Sequence, residues 1–457
     1  MDDTIAAIST PIGMGGIGII KISGSESLNI AKIVFKKKSK RTNILPRYIN
    51  YGEIYDPETD ETIDEVLLTF MPKPHSYTCE DVVEINCHSG YIILEKILKL
   101  VLRNGAKLAE PGEFTKRAFL NGRIDLTQAE SVIDLIQART EQSLKFANSH
   151  LKGLFSLRLK SIKEELIYFL GSLEAAIDFP EEEDTVIDYF KFSKKVRKLK
   201  RSVEKYSASY EEGKLFRIGI KTVLFGAPNA GKSSLFNVLF EEERAIVTPI
   251  PGTTRDTIEE VINVKGVPVK IIDTAGIKVA SDQVEQKGIA FTKTRLDQAD
   301  LIIFILDSST CFPEEIYTIK KQLNGRKSLI ALNKIDLPSQ IDEKEIKKLF
   351  PETKIVPISA LYCRGIKRLK DEIFSLVLER NIPLSDEFLI TNLRHKKALD
   401  QVALNLKNLE KGFLENLSPE FLALDLKRAL DSLGDILGET TTEEILNNIF
   451  SRFCIGK

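Results

Sequence analysis

The segment 226–233, Gly-Ala-Pro-Asn-Ala-Gly-Lys-Ser, has the residue types and spacing of a loop that binds phosphate groups. In such a loop the backbone N–H groups surround the phosphates, Lys232 reaches the terminal phosphates, and the hydroxyl of Ser233 contacts Mg²⁺. Apolar residues at 223–225 predict a short strand before the loop, and the spacing at 234–240 predicts a helix after it. We therefore expect a nucleotide whose phosphates lie at a helix N-terminus, where unpaired N–H groups and the helix dipole favour anions.

Two later segments indicate which nucleotide this is. Asp273 ends an apolar run, which predicts a carboxylate on the Mg²⁺ side of the phosphates, and Gly276 lets its N–H approach a γ-phosphate closely. The segment 333–336, Asn-Lys-Ile-Asp, follows the apolar run 328–332. A carboxylate at Asp336 can accept from both N1–H and the exocyclic amine of guanine, whereas adenine would leave it unpaired, a difference worth roughly 10⁴ or more in discrimination. The pattern predicts GTP, with a polar turn after a strand as the alternative interpretation of 333–336.

Two further segments complete the predicted nucleotide site. The segment 248–256 is rich in turn-forming residues and hydroxyl groups, as expected of an effector loop that orders around Mg²⁺ and γ-phosphate, and Thr254 is the predicted Mg²⁺ contact. Ser359 and Ala360 follow the run 355–358 and are placed to present backbone N–H to the guanine oxygen. The predicted nucleotide contacts are Asn229, Ala230, Gly231, Lys232, Ser233, Ser234, Thr248, Pro249, Ile250, Pro251, Gly252, Thr253, Thr254, Asp273, Thr274, Ala275, Gly276, Asn333, Lys334, Asp336, Ser359 and Ala360.

One position departs from the common pattern. Ile277 stands where Ras-type GTPases carry the glutamine that orients the attacking water, and isoleucine can neither donate nor accept a hydrogen bond. Charge neutralisation then needs another source: an arginine from an activator, worth about 10³–10⁵ in rate where it is used, or a monovalent cation near the phosphates. Asn229 offers a neutral oxygen to such a cation, and an ordinary turn residue is an equal alternative at this position.

Composition limits the classes of protein that remain. The 457 residues suffice for about three domains, and the 43% hydrophobic content is normal for globular domains. No apolar run approaches the roughly 20 residues of a membrane helix, and the acidic start carries no signal or transit pattern, so we expect a cytoplasmic protein without a membrane anchor.

The 65 Lys and Arg balance 66 Asp and Glu, so any RNA contact must use a local patch such as 194–201, which a solvated helix face would also explain. The spacing of the five Cys and four His predicts no structural metal and a reducing compartment.

The fold class predicted along the chain is multidomain α/β. Residues 1–118 alternate strands and helices as an α+β domain, residues 119–215 have helical period, residues 216–378 alternate strand and helix as the GTPase domain, and residues 379–457 are helical again. Two helical segments on either side of an α/β unit favour a GTPase domain inserted into one discontinuous helical domain. Four consecutive domains are the competing interpretation.

The end of the chain has an unusual pattern. Apolar residues at 445, 446, 449, 450 and 453 form a helical stripe running to the terminus, which predicts that this end is docked, since free ends usually fray. Cys454 is either a thiol activated by the charge of Lys457 or a small packed side chain. The pattern alone favours packing.

These motifs, together with the segments 15–24, 111–122, 125–130, 176–180 and 453–457, resemble the MnmE (TrmE) family of tRNA-modification GTPases. The resemblance covers essentially the whole chain, and the terminal Cys-Ile-Gly-Lys is specific to this family, which reverses the preference at Cys454 and makes it a catalytic residue. The resemblance implies a Ras-like P-loop GTPase domain inserted in the helical domain and an N-terminal domain similar to folate-binding aminomethyltransferase domains.

Further expectations rest on the resemblance alone. A 5-formyl- or 5,10-methylene-tetrahydrofolate would contact Lys21, Glu84, Arg123 and Lys457, although Lys21 and Arg123 exchange the usual basic types, and the two are not interchangeable. The family forms homodimers and works with the FAD-binding flavoprotein MnmG, in a heterotetramer, to place an aminomethyl or carboxymethylaminomethyl group on the wobble uridine of certain tRNAs.

The same resemblance extends to hydrolysis. The GTPase domains of the family dimerise across K⁺, which Asn229, Thr248, the carbonyl of Ile250 and Thr253 would bind here, and Glu285 would orient the attacking water through a second water. With Lys232 and Cys454, Glu285 completes the predicted catalytic set. A ribosome-assembly GTPase that binds RNA without modifying it is the alternative function, although no KH motif or second GTPase domain is visible.

Overall fold

The computed structural model describes residues 3–13, 15–38, 43–181, 187–244, 260–272, 296–313, 316–378 and 389–457. The first 120 residues form one sheet with helices on one face. The elements of this domain are β1 Ile5–Ile8, β2 Gly18–Ser23, α1 Ser27–Val34, β3 Phe35–Lys37, β4 Ile49–Asp56, β5 Glu61–Met71, β6 Val82–Cys87, α2 Tyr91–Arg103, β7 Lys107–Leu108 and α3 Glu113–Leu120. The strands follow the order β3-β4-β5-β6-β2-β1-β7 in the sheet.

Alternation along these strands decides which sheet face is buried. Ile20, Val83 and Leu68 point into a core that α1 and α2 cover, and all three are fully buried. The intervening residues Lys21 and Glu84 are paired across β2 and β6 and therefore lie on the opposite face. The N-terminal domain thus has one face closed by helices and one face left for other contacts.

The helical domain is built from two separated parts of the chain. Its first part contains α4 Leu126–Gln137, α5 Glu141–Leu151, α6 Leu154–Asp178, α7 Tyr189–Ala208 and α8 Tyr210–Ile218. Its second part contains α13 Leu393–Leu414, α14 Pro419–Leu437 and α15 Glu443–Phe450. Buried apolar residues of α6 and α7 share one core with those of α13 and α14. The predicted discontinuous helical domain is therefore confirmed, and four consecutive domains are not found.

Between these parts lies a six-stranded sheet with the order β13-β12-β11-β8-β10-β9. Among its described strands the β9–β10 pair is antiparallel and the other pairs are parallel, as expected of a Ras-like fold. Buried clusters lie on both faces of this sheet. The elements are β8 Ile220–Gly226, α9 Lys232–Arg244, β9 Glu260–Val264, β10 Val267–Ile272, β11 Leu301–Asp307, α10 Ile316–Leu323, β12 Ser328–Asn333, α11 Glu343–Leu349, β13 Lys354–Pro357 and α12 Ile366–Val377.

The two connections to the inserted domain lie side by side. The backbone N–H of Ile390, just before α13, donates to Ser209 Oγ at 3.1 Å, just before α8. Gly213 in α8 packs so closely on the Ile390 carbonyl that a Cβ at this glycine would collide with it. A second contact comes from the β9–β10 turn, whose Gly266 carbonyl accepts a 2.7 Å hydrogen bond from Thr140 Oγ1. The insert is therefore held at a narrow junction.

Some predicted boundaries cut through elements. Helix α3 runs to Leu120 across residue 118, and α8 continues to Ile218 past residue 216. Among the described residues, no helix is long and apolar enough to cross a bilayer.

Candidate functional site

The phosphate loop lies between β8 and α9, where the sequence predicts it. A Cβ at Gly226 would lie 2.5 Å from the carbonyl oxygen of Ile305, so only glycine allows β8 and β11 to approach here. Asn229 and Gly231 have φ angles of 60° and 96°. Such left-handed positions turn the backbone back on itself and favour glycine, or asparagine among the other residues. The loop therefore has the concave form that brings backbone N–H groups together around an anion.

Lys232 begins α9 and reaches back over the loop. Its Nζ donates to the carbonyl oxygens of Gly226 at 2.9 Å and Ala227 at 2.8 Å. Ser233 and Ser234 follow in the first turn, where helical N–H groups lack intrahelical partners. An ammonium group, a hydroxyl and free N–H groups thus meet at one helix N-terminus. This combination suits a phosphate chain with its Mg²⁺.

Asn333 at the end of β12 joins the base segment to the phosphate loop. Its Nδ2 donates to the carbonyl oxygen of Ala230 at 2.9 Å, and its Oδ1 accepts from the N–H of Ala360 at 3.0 Å. A Cβ at Gly231 would collide with the same amide. Because Asn333 is buried, losing these partners would leave a polar group unsatisfied. One side chain therefore fixes three predicted segments relative to one another.

The carboxylate of Asp336 is held in place by a hydrogen bond. Its Oδ1 accepts from Ser359 Oγ at 2.5 Å, and Ser359 is fully buried. The serine hydroxyl therefore orients the carboxylate. Ser359 and Ala360 were predicted to offer N–H groups to the guanine oxygen, but their N–H groups donate to the carbonyl of Arg364 and to Asn333. That guanine contact stays a prediction.

Lys334 has a partner that the sequence did not indicate. The Lys334 Nζ lies 2.6 Å from Oδ2 of Asp307, the last residue of β11. The backbone of Lys334 is left-handed, with a φ of 64°. Burial alone would raise the pKa of the Asp307 carboxyl, but hydrogen bonds from Lys334 and Ser309 hold this pKa below its usual value. Asp307 thus anchors the lysine of the 333–336 segment. The sequence signal for such a residue is an aspartate at the end of an apolar strand. The sequence prediction applies this signal to Asp273 and not to Asp307.

Part of the predicted site lies outside the described residues. This part comprises Thr248, Pro249, Ile250, Pro251, Gly252, Thr253, Thr254, Asp273, Thr274, Ala275, Gly276, Ile277 and Glu285. Their roles stay predictions.

A second group of predicted residues meets on the helix-free face of the N-terminal sheet. Lys21 Nζ lies 3.6 Å from Glu84 Oε1 and 5.6 and 5.5 Å from the ring centroids of Tyr77 and Phe114. Burial lowers the pKa of the Lys21 ammonium, Glu84 opposes this shift, and the charge of Lys457 adds to it. Lys21 is therefore paired with Glu84 and also feels the charge of Lys457, from the other end of the chain.

Tyr77 links the fourth predicted residue to this group. Arg123 donates from Nη1 to the carbonyl oxygen of Tyr77 at 2.7 Å, and its guanidinium carbon lies 4.8 Å from the Tyr77 ring centroid. Tyr77 Oη shares a 2.9 Å hydrogen bond with Thr115 Oγ1, which fixes the ring. The tyrosine thus contacts both Lys21 and Arg123. No sequence pattern marked it.

The chain end is docked, as the apolar stripe predicts. Leu446, Phe450 and Phe453 pack with Leu126 and Ala129 of α4 in one buried cluster. Beyond this cluster, hydrogen bonds to two backbone carbonyls hold the last residues of the chain in place. The Gly456 carbonyl accepts from Ser9 Oγ at 3.1 Å, and the Cys454 carbonyl accepts from the N–H of Gly112 at 3.4 Å.

The Cys454 side chain itself is exposed. A small packed side chain would be buried, so the packing interpretation does not describe this thiol. Its backbone is held by the hydrogen bond from Gly112, while the residue itself is exposed. This arrangement can present a nucleophile or an acid–base group to an anionic ligand.

Two family models match the chain. The N-terminal model, described as GTP-binding protein TrmE N-terminus, matches residues 4–123, and the MnmE helical domain model matches residues 126–454. The second match contains both helical parts and the inserted sheet. Together the two models account for nearly every residue.

Full-length relatives agree with these matches. Proteins named tRNA modification GTPase MnmE from Thermoanaerobacter sp. and Natranaerobius thermophilus are each 46% identical, and one from Syntrophus aciditrophicus is 48% identical. All three alignments cover 100% of this chain and 99–100% of the relative.

Solved structures resemble part of the chain. The G domain of the Thermotoga maritima FeoB iron transporter is 30% identical over 34% of this chain and 98% of its own, with a TM-score of 0.27. The Era protein of Aquifex aeolicus is 29% identical over 41% of this chain and 66% of its own, with a TM-score of 0.28. Because these TM-scores are low, the family assignment rests on the full-length relatives and the family models. On that evidence the chain is a GTP hydrolase and belongs to the MnmE family of tRNA modification GTPases.

Proposed function

We propose that this enzyme is a K⁺-activated GTPase that modifies the wobble uridine of certain tRNAs at carbon 5. It acts with a flavoprotein of the MnmG type, which carries FAD, and with a one-carbon tetrahydrofolate, and it forms a carboxymethylaminomethyl or aminomethyl group. The GTPase cycle between GTP and GDP supplies a conformational change, and the chemistry occurs at the chain ends. We expect this reaction in the cytoplasm.

The observation that carries this proposal is the docking of the C-terminal segment on the N-terminal domain, where the Gly456 carbonyl accepts from Ser9 and the charge of Lys457 acts on Lys21. A GTPase that only switches between two states has no need of an exposed thiol on a docked chain end. A one-carbon transfer needs such a group close to the carrier.

The residues present suit a folate. The pterin ring carries an amino group beside a ring N–H, the donor pattern that guanine presents to Asp336, and Glu84 can accept from both groups. Lys21, Arg123 and Lys457 provide positive charge for an anionic ligand. When bound, the folate supplies the one-carbon unit. In this pocket Lys21 and Arg123 orient the ligand, and Cys454 is the residue that acts on the transferred group.

GTP hydrolysis needs Mg²⁺, which the GTPase family implies and which Ser233 and Thr254 would bind. For K⁺ the described donor is Asn229, whose left-handed backbone lies inside the phosphate loop. Thr248, the Ile250 carbonyl and Thr253 would complete the K⁺ ligands, Lys232 would contact the terminal phosphates, and Glu285 would orient water. The expected result is a GTPase rate in KCl far above that in NaCl, because a cation that replaces an arginine finger neutralises the same charge and such an arginine is worth about 10³–10⁵ in rate. Equal rates in both salts would remove the cation from the mechanism.

A homodimer is supported by the free face of the N-terminal sheet. Ile49, Tyr51 and Leu67 are exposed on the same face that carries Lys21 and Glu84. A second copy covering these apolar residues would close the pocket from the β4–β5 side. We expect Ile49→Glu with Leu67→Glu to halve the mass measured by light scattering, while Ile167→Glu, exposed on α6, leaves it unchanged. A dimer that survives the double change would exclude this face.

The decisive test of function is nucleoside analysis of tRNA from a strain that lacks this gene. Unmodified wobble uridine, restored by the wild-type chain, is the expected result. Normal tRNA together with defective ribosomal subunits would instead identify an RNA-binding assembly GTPase.

A further inference from the structure

Helix α7 carries an uninterrupted row of positive charge on its solvent side. Between residues 189 and 208 it contains eight basic residues and one acidic residue, Glu204, although the chain as a whole is balanced. Its buried side consists of Ser193, Val196, Leu199, Val203 and Ser207. The basic stripe is defined here as Lys191, Lys194, Lys198, Arg201 and Lys205, all of them exposed.

The spacing of the basic stripe places its members on one line. Steps of three and four residues bring side chains to the same helix face, so the five residues lie within roughly one quarter of the circumference. With a rise of about 1.5 Å per residue the stripe is about 21 Å long and presents a cation at every turn. It faces directly away from the domain core.

Helix α13 of the same domain pairs two of its lysines with carboxylates one turn away. On α13, Lys396 pairs with Asp400 at 2.7 Å and Lys411 with Glu415 at 3.5 Å, each one turn apart. Within the described residues, no ion pair joins Lys191, Lys194, Lys198 or Arg201 to a carboxylate. Like charges one turn apart destabilise a helix. Among the described residues no carboxylate compensates for this repulsion at Lys191, Lys194, Lys198 and Arg201, whereas an anionic partner would relieve it.

Exposed aromatic rings flank the stripe. Phe190 is 81% exposed and lies one turn from Lys194. On the neighbouring α6, Tyr168 is 62% exposed, and Lys195 Nζ lies 5.6 Å from its ring centroid. Unpaired nucleotide bases stack on aromatic rings, and basic side chains beside such rings are typical of RNA contacts.

We propose that the basic stripe of α7 binds the phosphate backbone of tRNA, with Phe190 and Tyr168 available to stack unpaired bases. This inference rests on the proposed function, which supplies a tRNA substrate, and adds the surface that holds it. The contact is electrostatic and independent of base sequence, so it positions the substrate and does not select it.

The test compares two full-length variants that lose the same charge. The first carries Lys191→Gln, Lys194→Gln, Lys198→Gln and Arg201→Gln. The control carries Lys320→Gln, Lys321→Gln, Lys347→Gln and Lys348→Gln, at exposed positions of α10 and α11 in the G domain. Glutamine keeps helix propensity in both. Circular dichroism and GTPase rates, expected to match the wild type, check that both variants fold.

Binding to unmodified tRNA transcript is measured with GDP present and KCl varied from about 50 to 200 mM. Each phosphate contact contributes roughly 0.7–0.9 to the slope of log K against log salt, so the stripe variant should lose about 3 from that slope and about tenfold or more in affinity. The control should lose neither. Phe190→Ala should weaken binding without changing the slope.

An unchanged slope in the stripe variant, or an equal loss in both variants, overturns the proposal. Retained tRNA binding with lost binding to the flavoprotein would show that the stripe is a protein interface instead. Nucleoside analysis of tRNA from the strain complemented with wild-type chain is run in parallel. A failure there overturns the proposed function, whereas wild-type modification with an inert stripe overturns only this inference.

Discussion

The nucleotide site and the pocket at the chain ends, which comprises Lys21, Glu84, Arg123 and residues 454–457, are assembled over very different lengths of sequence. All described parts of the nucleotide site lie between residues 226 and 360, in loops that follow consecutive strands of one sheet. The pocket at the chain ends joins Ser9 to Gly456, 447 positions apart, and requires the N-terminal sheet, α3, α4 and α15 together.

This difference determines how each site can fail. The nucleotide site depends on local backbone geometry and on Asn333, so it should persist when other domains are disturbed. The pocket at the chain ends depends on docking, so it should be lost whenever the C-terminal segment leaves its place. Selective changes should therefore separate the two sites, with the largest effects at the residues that contact ligand.

Asp336→Asn should damage only the nucleotide site. An amide cannot accept from both donors of guanine, so GTP affinity should fall by about 10³–10⁴ and xanthosine triphosphate should become the better ligand. Titration with fluorescent nucleotides measures both affinities. Asp342→Asn is the control, because Asp342 caps α11 and asparagine caps equally well. Undiminished preference for GTP would refute base recognition by Asp336.

Cys454→Ser should damage only the pocket at the chain ends. Wobble-uridine modification should fall by at least about 10²-fold, because a hydroxyl is a far poorer nucleophile and acid than a thiol, while GTP hydrolysis stays near wild type. Cys311→Ser, also at an exposed cysteine, should change neither activity. Full modification by the Cys454 variant would remove the thiol from the mechanism.

Gly456→Ala should loosen the docked segment without touching ligand. Gly456 has φ +89°, and a Cβ there would collide with the carbonyl of Ile8, so the substitution should cost about 1–3 kcal/mol and weaken folate binding. Thermal unfolding and folate titration measure these effects, and GTP affinity should stay constant. Gly171→Ala in α6, where nothing lies within 4 Å, should instead stabilise by up to about 1 kcal/mol. Equal folate binding by the Gly456 variant would show that the pocket does not depend on docking.

The same contrast explains what could be predicted from sequence. The strand, loop and helix around Lys232 follow from apolar spacing and from the motif, because all the determinants are adjacent. The insertion of the G domain followed from two helical segments flanking an α/β unit. The docked end followed from the apolar stripe of α15.

Contacts between distant segments could not be predicted in this way. That Asn333 binds Ala230 and Ala360, or that Asp307 holds Lys334, depends on which strands become neighbours in the sheet. Tyr77 occupies a segment without periodicity, so nothing in the sequence marks its contact with Lys21 and Arg123. The residues of the pocket at the chain ends were recognised only through the family resemblance.

The narrow junction of the insert suggests how such an architecture can arise and be dissected. Because Ile390 touches Ser209 and Gly213, a few residues could bridge the gap left by excising the G domain, and loop-closure entropy changes only slowly with loop length. The remaining helices should then close over their own core as an autonomous scaffold. The G domain is therefore expected to be separable from the helical domain, which should fold without it.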